Sequence, residues 1–167
     1  MSLPEWGSSG PFRDLAWAAL YCHAVFRDDH NAFASVYSDE SLRDRLLQMP
    51  GDVPLEEIRT KLIDGFLNKW RSRMQGNRDA AIRDGLVRAQ DALGWLAGES
   101  IETVEFDRAL SSSADGLRTV EDAVTTAFDA LCKGWGIGPT SAAKVLGVVM
   151  PELFVMWDEP IAKHYLS

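Results

Sequence analysis

Gly134-Trp135-Gly136-Ile137-Gly138-Pro139-Thr140-Ser141-Ala142-Ala143-Lys144-Val145-Leu146 is the stretch on which the fold turns. A helical pattern runs up to Gly134, a Gly-Ile-Gly corner interrupts it, and Pro139 opens a second helix. Two glycines permit positive φ and close backbone approach. A proline in the first helical turn loses no N–H that the helix needs. A corner of this kind presents bare backbone N–H groups at a helix N-terminus, where a phosphate can bind. The same residues also suit an αα-hairpin with a glycine-rich turn and no ligand.

Working outward, Thr119-Val120-Glu121-Asp122 reads as a capped start for a helix over 120–133. Helices over 139–150 and 159–166 complete the C-terminal part. Toward the N-terminus, 12–27 is amphipathic, with Leu15, Ala19, Cys22 and Phe26 on one face. Short helices are predicted over 31–36 and 41–48, and Pro50-Gly51-Asp52-Val53-Pro54 is a loop. A long helix over 55–75, with a weak point at Gly65, carries Leu62, Phe66 and Trp70 as a buried stripe. Another over 78–97 stops at Gly98. Residues 102–110 are read as helical and 111–116 as a loop. No sustained alternation marks a strand. The expectation is an all-α fold in a single domain, 1–167. It is an array of about eight or nine helices with a helix-hairpin-helix element near 120–150.

The chain has 167 residues, 46% of them hydrophobic, enough for an independent core. No apolar run approaches a membrane span, so no membrane association is expected. The start, Met1-Ser2-Leu3-Pro4-Glu5, has no signal-peptide pattern, which makes a cytoplasmic location the expectation. Cys22 and Cys132 are too few for the four thiolates of an iron–sulfur cluster or for a Cys-rich zinc site. His23, His30 and His164 are scattered. No metal and no cofactor are expected.

The formal charge of -8 opposes a nucleic-acid partner, since such domains are commonly basic. The distribution is uneven. Residues 57–90 carry eight basic groups against four acidic ones, a balance of +4 that leaves -12 for the rest. Lys69, Arg71 and Arg73 are its densest part. Such asymmetry can draw a polyanion locally; the same charges also suit a solvated helix face.

Gly136-Ile137-Gly138-Pro139-Thr140-Ser141-Ala142 resembles the helix-hairpin-helix core, G-[VI]-G-x-x-x-A, of the HhH-GPD DNA glycosylase superfamily. The likeness extends into Met150-Pro151-Glu152-Leu153-Phe154-Val155-Met156-Trp157-Asp158, where that superfamily follows an apolar helix with an extended piece and an Asp. Asp158 stands eighteen residues beyond Thr140, the position at which bifunctional members carry a nucleophilic Lys. The resemblance is specific over about 119–160 and implies DNA as partner. It implies backbone contacts at Gly136, Ile137, Gly138 and Thr140, Lys144 as a surface or phosphate-facing lysine, and Trp135 and Trp157 as pocket residues. Asp158 would stabilise positive charge on the sugar or orient a water; it also fits an N-cap ahead of Glu159-Pro160.

Two departures matter. Thr140 cannot form a Schiff base, so lyase chemistry is not implied and any activity would be that of a monofunctional N-glycosylase. The His that commonly follows the aspartate in the family is missing from Asp158-Glu159-Pro160-Ile161. The alternative is a non-catalytic acidic helical protein of the same fold, acting in protein interaction or structure.

Overall fold

The computed structural model describes residues 39–69, 72, 74, 77–113 and 116–154, without the side chains of 111–113, 116 and 117. The described part is mostly helical, with one two-stranded hairpin. Helix α1 spans Glu40–Gln48. A single 3-10 turn, Pro50–Asp52, follows it. Helix α2 (Leu55–Glu57) runs on without a break as a π-helical stretch, Ile58–Leu67. Next come α3 (Arg78–Trp95), β1 (Ala109–Ser113), β2 (Gly116–Thr119), α4 (Val120–Cys132) and α5 (Pro139–Val149).

The π-helical stretch explains a feature of the sequence. Its buried residues are Ile58, Leu62, Ile63, Phe66 and Leu67, a repeat of four to five. An ordinary helix would carry such a repeat gradually off its buried face. Hydrogen bonds that reach five residues, such as Asn68 N–H to the Ile63 carbonyl at 2.8 Å, widen the turn and keep it facing inward. Gly65 does not break this helix. The regular winding ends at Leu67, short of the expected 75, where Asn68 turns its side chain to the backbone N–H of Met74 at 2.7 Å.

Helices α3 and α4 pack closely because Gly85 lets them touch. A Cβ there would stand 2.8 Å from Leu131 Cδ2 and 3.1 Å from its Cα. Helix α5 is the innermost element. Every residue from Ala142 to Met150 is buried, between α1, α4 and the π-helical stretch. A stretch that is apolar on every side but for Lys144 belongs inside. Phe128 of α4 meets Phe154 edge-to-face at 5.7 Å and closes that end of the core.

The expected helix over 102–110 is absent. Turns occupy 101–103 and 106–107, and the following residues form antiparallel β1 and β2, paired Ser113 with Gly116 and Ser112 with Leu117, with an irregularity near Ala109. This segment is pinned by its backbone. Phe106 and Arg108 offer their carbonyls to Glu121 and Val120 N–H at 3.0 and 3.1 Å, the opening amides of α4. The expected helices over 12–27, 31–36 and 159–166 lie outside the described residues, as does Trp70. Among the described residues, no helix is long and apolar enough to cross a membrane.

Candidate nucleic-acid interface

The corner between α4 and α5 is built from both sides. Thr119 caps α4 in a reciprocal box: its hydroxyl accepts from Asp122 N–H at 3.2 Å, and the Asp122 carboxylate accepts from Thr119 N–H at 2.9 Å. The helix ends at Lys133, and Gly134 then folds back, its N–H reaching the Leu131 carbonyl at 2.9 Å. Gly134 has no room for a side chain, since a Cβ would meet Leu131 O at 3.0 Å and Ala81 O at 3.3 Å. Ile137 is buried and plugs the corner into the core. The residues around it, Trp135, Gly136, Gly138, Pro139 and Thr140, are exposed.

Only one of the two predicted glycines uses a left-handed backbone. Gly136 has φ 73°. Gly138 has φ -87° and ψ 172°, an extended geometry open to any residue, and nothing lies within 4 Å of where its Cβ would be. Gly138 is the N-cap of α5 and Pro139 its first residue. No side chain caps this helix, and no acidic residue sits in its first turn. The amides of Thr140 and Ser141 therefore point outward without a partner in the helix.

Arg78, the first residue of α3, covers the other half of the corner. Its Nη1 donates to the Trp135 carbonyl at 2.7 Å, and its guanidinium carbon lies 3.7 Å from the Trp135 ring centroid. It fills the space a Cβ on Gly136 would need, 2.0 Å from the guanidinium carbon. Arg88, ten residues further along α3, donates to the Ala130 carbonyl at 2.9 Å. Arg88 thus serves the carbonyl-rich end of α4, where the helix dipole favours positive charge, and Arg78 the corner that follows it. Arg78 was not singled out by sequence. Its contact spans 57 residues, and no local pattern announces it.

Lys144 requires a correction. It is 3% exposed, not a surface or phosphate-facing lysine. It does follow Thr140 by one turn. However, α5 enters the core directly after that turn, so the face that starts in water ends buried. Lys69 is exposed just past the π-helical stretch, and no hydrogen bond or ion pair ties it to the corner. Arg71, Arg73, Trp157 and Asp158 lie outside the described residues.

The basic segment 57–90 is largely consumed within the fold. Arg59 pairs with Asp79, which is buried. Lys61 bridges Asp39 at 2.6 Å and Glu57 at 2.9 Å, and Arg45 grips Glu57 with two hydrogen bonds of 2.7 and 2.8 Å. Those bonds, from Arg45 first and then Lys61, hold the Glu57 carboxyl down at about 2. Arg83 approaches Asp84 at 3.8 Å. Among the described residues no carboxylate pairs with Arg78 or Lys69. The half-buried Cys132 has its thiol pushed up by burial, then by Asp129, and is not a reactive thiolate.

In comparisons with known protein families, with curated proteins and with solved structures, this chain matches none.

Proposed function

We propose that this chain binds the sugar–phosphate backbone of DNA at the start of α5, as a helix-hairpin-helix protein similar to the HhH-GPD glycosylases. One observation carries the reading: among the described α-helices, the π-helical continuation of α2 aside, α5 alone has neither a side-chain cap nor an acidic residue in its first turn. A helix start left this way attracts an anion through its amides and its dipole. Gly138 leaves the approach open, Arg78 adds a cation at the neighbouring Trp135–Gly136 step, and Lys133 is an exposed cation five residues before Gly138. Catalysis, as a monofunctional N-glycosylase, rests on the sequence position of Asp158. Thr140 supplies no amine, so base release would occur without strand cleavage by a lyase step.

A second reading is favoured by a separate observation. The charge of -8 and the internal pairing of Arg59 and Lys61 suit an acidic scaffold that makes protein contacts without catalysis. Titration of duplex DNA at several salt concentrations separates the two. The DNA reading expects log affinity to fall linearly with log salt, with a slope set by about two or three neutralised phosphates. Absence of binding at low salt leaves the scaffold reading. With duplexes carrying damaged bases, Asp158→Asn is expected to abolish base release and retain DNA affinity.

A further inference from the structure

Trp135 is 78% exposed, the most exposed of the large hydrophobic side chains described. Fixing so large a ring in water contributes nothing to the core. Even so, it is held. Arg78 grips its carbonyl at 2.7 Å and lies over its ring at 3.7 Å. Gly136, the residue after it, lacks the Cβ that would exclude this guanidinium. One side chain therefore fixes both the backbone and one face of the ring, leaving the opposite face to solvent. The geometry is that of a prepared stacking surface, with its ordering cost met before any partner arrives.

Charge selects the partner. The cation behind the ring has no carboxylate partner among the described residues, Lys133 is exposed two residues before the ring, and the bare amides of α5 begin five residues after it. Asp129, one turn back on α4, is the acidic residue nearest in sequence. A flat aromatic surface that carries a phosphate on the same strand meets all of these groups at once, and a nucleobase is such a surface. In an intact duplex both faces of each base are covered by neighbours; an unpaired base offers a free one.

We infer that the Trp135–Arg78 pair stacks on an unpaired base of a DNA strand whose phosphate occupies the start of α5. This rests on the DNA reading above and names its substrate class: DNA with a bulged, gapped or single-stranded position, in preference to fully paired duplex. Trp135 is the contacting residue and Arg78 the positioning one.

The test uses the whole chain and three labelled DNAs: a paired duplex, the same duplex with one bulged base, and the single strand. The native protein is expected to prefer the last two by about ten-fold, the scale of one base stacked on an aromatic ring. Trp135→Ala should bring the affinities for the three DNAs together, by a larger loss on the bulged and single-stranded DNAs than on the paired duplex, with thermal unfolding unchanged, and Trp135→Phe should keep most of the preference. A fluorescent purine at the bulge should be quenched by the native protein, less by Arg78→Lys, and not by Trp135→Ala. Equal affinity for all three DNAs, or equal losses on all three in Trp135→Ala, overturns the stacking inference and spares the backbone reading. No affinity for any DNA sinks both and leaves the ring to a protein partner.

Discussion

Helices α4 and α5 are neighbours in sequence and begin in opposite ways. The start of α4 is spent on the fold. Thr119 and Asp122 cap each other's amides, and the carbonyls of Arg108 and Phe106 take the N–H groups of Val120 and Glu121. The start of α5 has an extended glycine, a proline and no cap. Leaving helix amides in water costs stability that a single Ser or Asp at 138 would recover. The difference teaches where to look for a partner: at the helix start that the protein has not satisfied itself. The other starts agree. Asp39 caps α1, Glu56 and Glu57 sit in the first turn of α2, and the buried Asp79 accepts from Ala80 N–H at 2.9 Å in the first turn of α3.

The largest expected effect comes from the start of α3. Asp79 is buried and its partner is Arg59 on the π-helical stretch. Arg59→Ala leaves a carboxylate inside the protein with its ion pair gone. The expected loss is about 3 kcal/mol, the low end for a broken buried pair because Arg59 is itself half in water. A lower urea midpoint would record it. Adding Asp79→Leu should restore most of the loss, since an apolar replacement removes the stranded charge. Arg59→Ala should leave the DNA affinity of the folded protein unchanged, because Arg59 lies on the π-helical stretch and its partner is Asp79, not a residue of the corner. A matching loss of affinity would erase the distinction between satisfied and open helix starts.

Next in size are two substitutions that should move in opposite directions. Thr119→Ala removes half of a capping box and is expected to cost about 1 kcal/mol with DNA affinity unchanged. Gly138→Asp gives α5 the cap it lacks, at a position whose backbone suits any residue and whose Cβ would have space. Stability should rise by a few tenths of a kcal/mol. DNA affinity should fall about ten-fold or more, because a carboxylate then occupies the amides and repels phosphate. Thermal unfolding and DNA titration of the two variants give the answer. If Gly138→Asp binds as well as the native chain, the start of α5 is not the contact.

How much of this was legible in the sequence differs between these same helices. The Thr119 box and Pro139 fixed the beginnings of α4 and α5 to the residue, because caps are local chemistry. The two-stranded hairpin was not legible. Ser111-Ser112-Ser113 has no alternation to betray a strand, although Asp115-Gly116 is a dipeptide that favours tight hairpins. The role of Arg78 was hidden by its 57-residue reach, and the burial of Lys144 by the path of α5 into the core. Local patterns announce where a helix starts. They do not announce which of its turns will meet water.

The smallest effect concerns the start of α1, which is capped by a titratable group. Asp39 accepts from Lys61 Nζ at 2.6 Å and from Leu42 N–H at 3.0 Å, and these bonds hold its carboxyl below the ordinary value of 3.8. Beside it, Glu57 is held at about 2 against an ordinary 4.5. Both groups bind protons less readily folded than unfolded, so the unfolded chain takes up more protons as the solution is acidified. The stability they contribute is whole above about pH 5 and drains away as the pH falls toward 2. Glu57→Gln should therefore lower stability at and above about pH 5, where the carboxylate and its half-buried pairs with Arg45 and Lys61 contribute in full, and should flatten the acid limb so that variant and native chain converge as the pH falls toward 2. Urea unfolding at stepped pH measures it. The start of α5 has no such group, so an anion bound there should add stability across the whole range in which the anion stays charged. A profile whose acid limb is unchanged in Glu57→Gln would mean that the charges around α1 and α2 are solvated ornaments of the surface, and that satisfied helix starts in this protein are satisfied by backbone and hydroxyl groups alone.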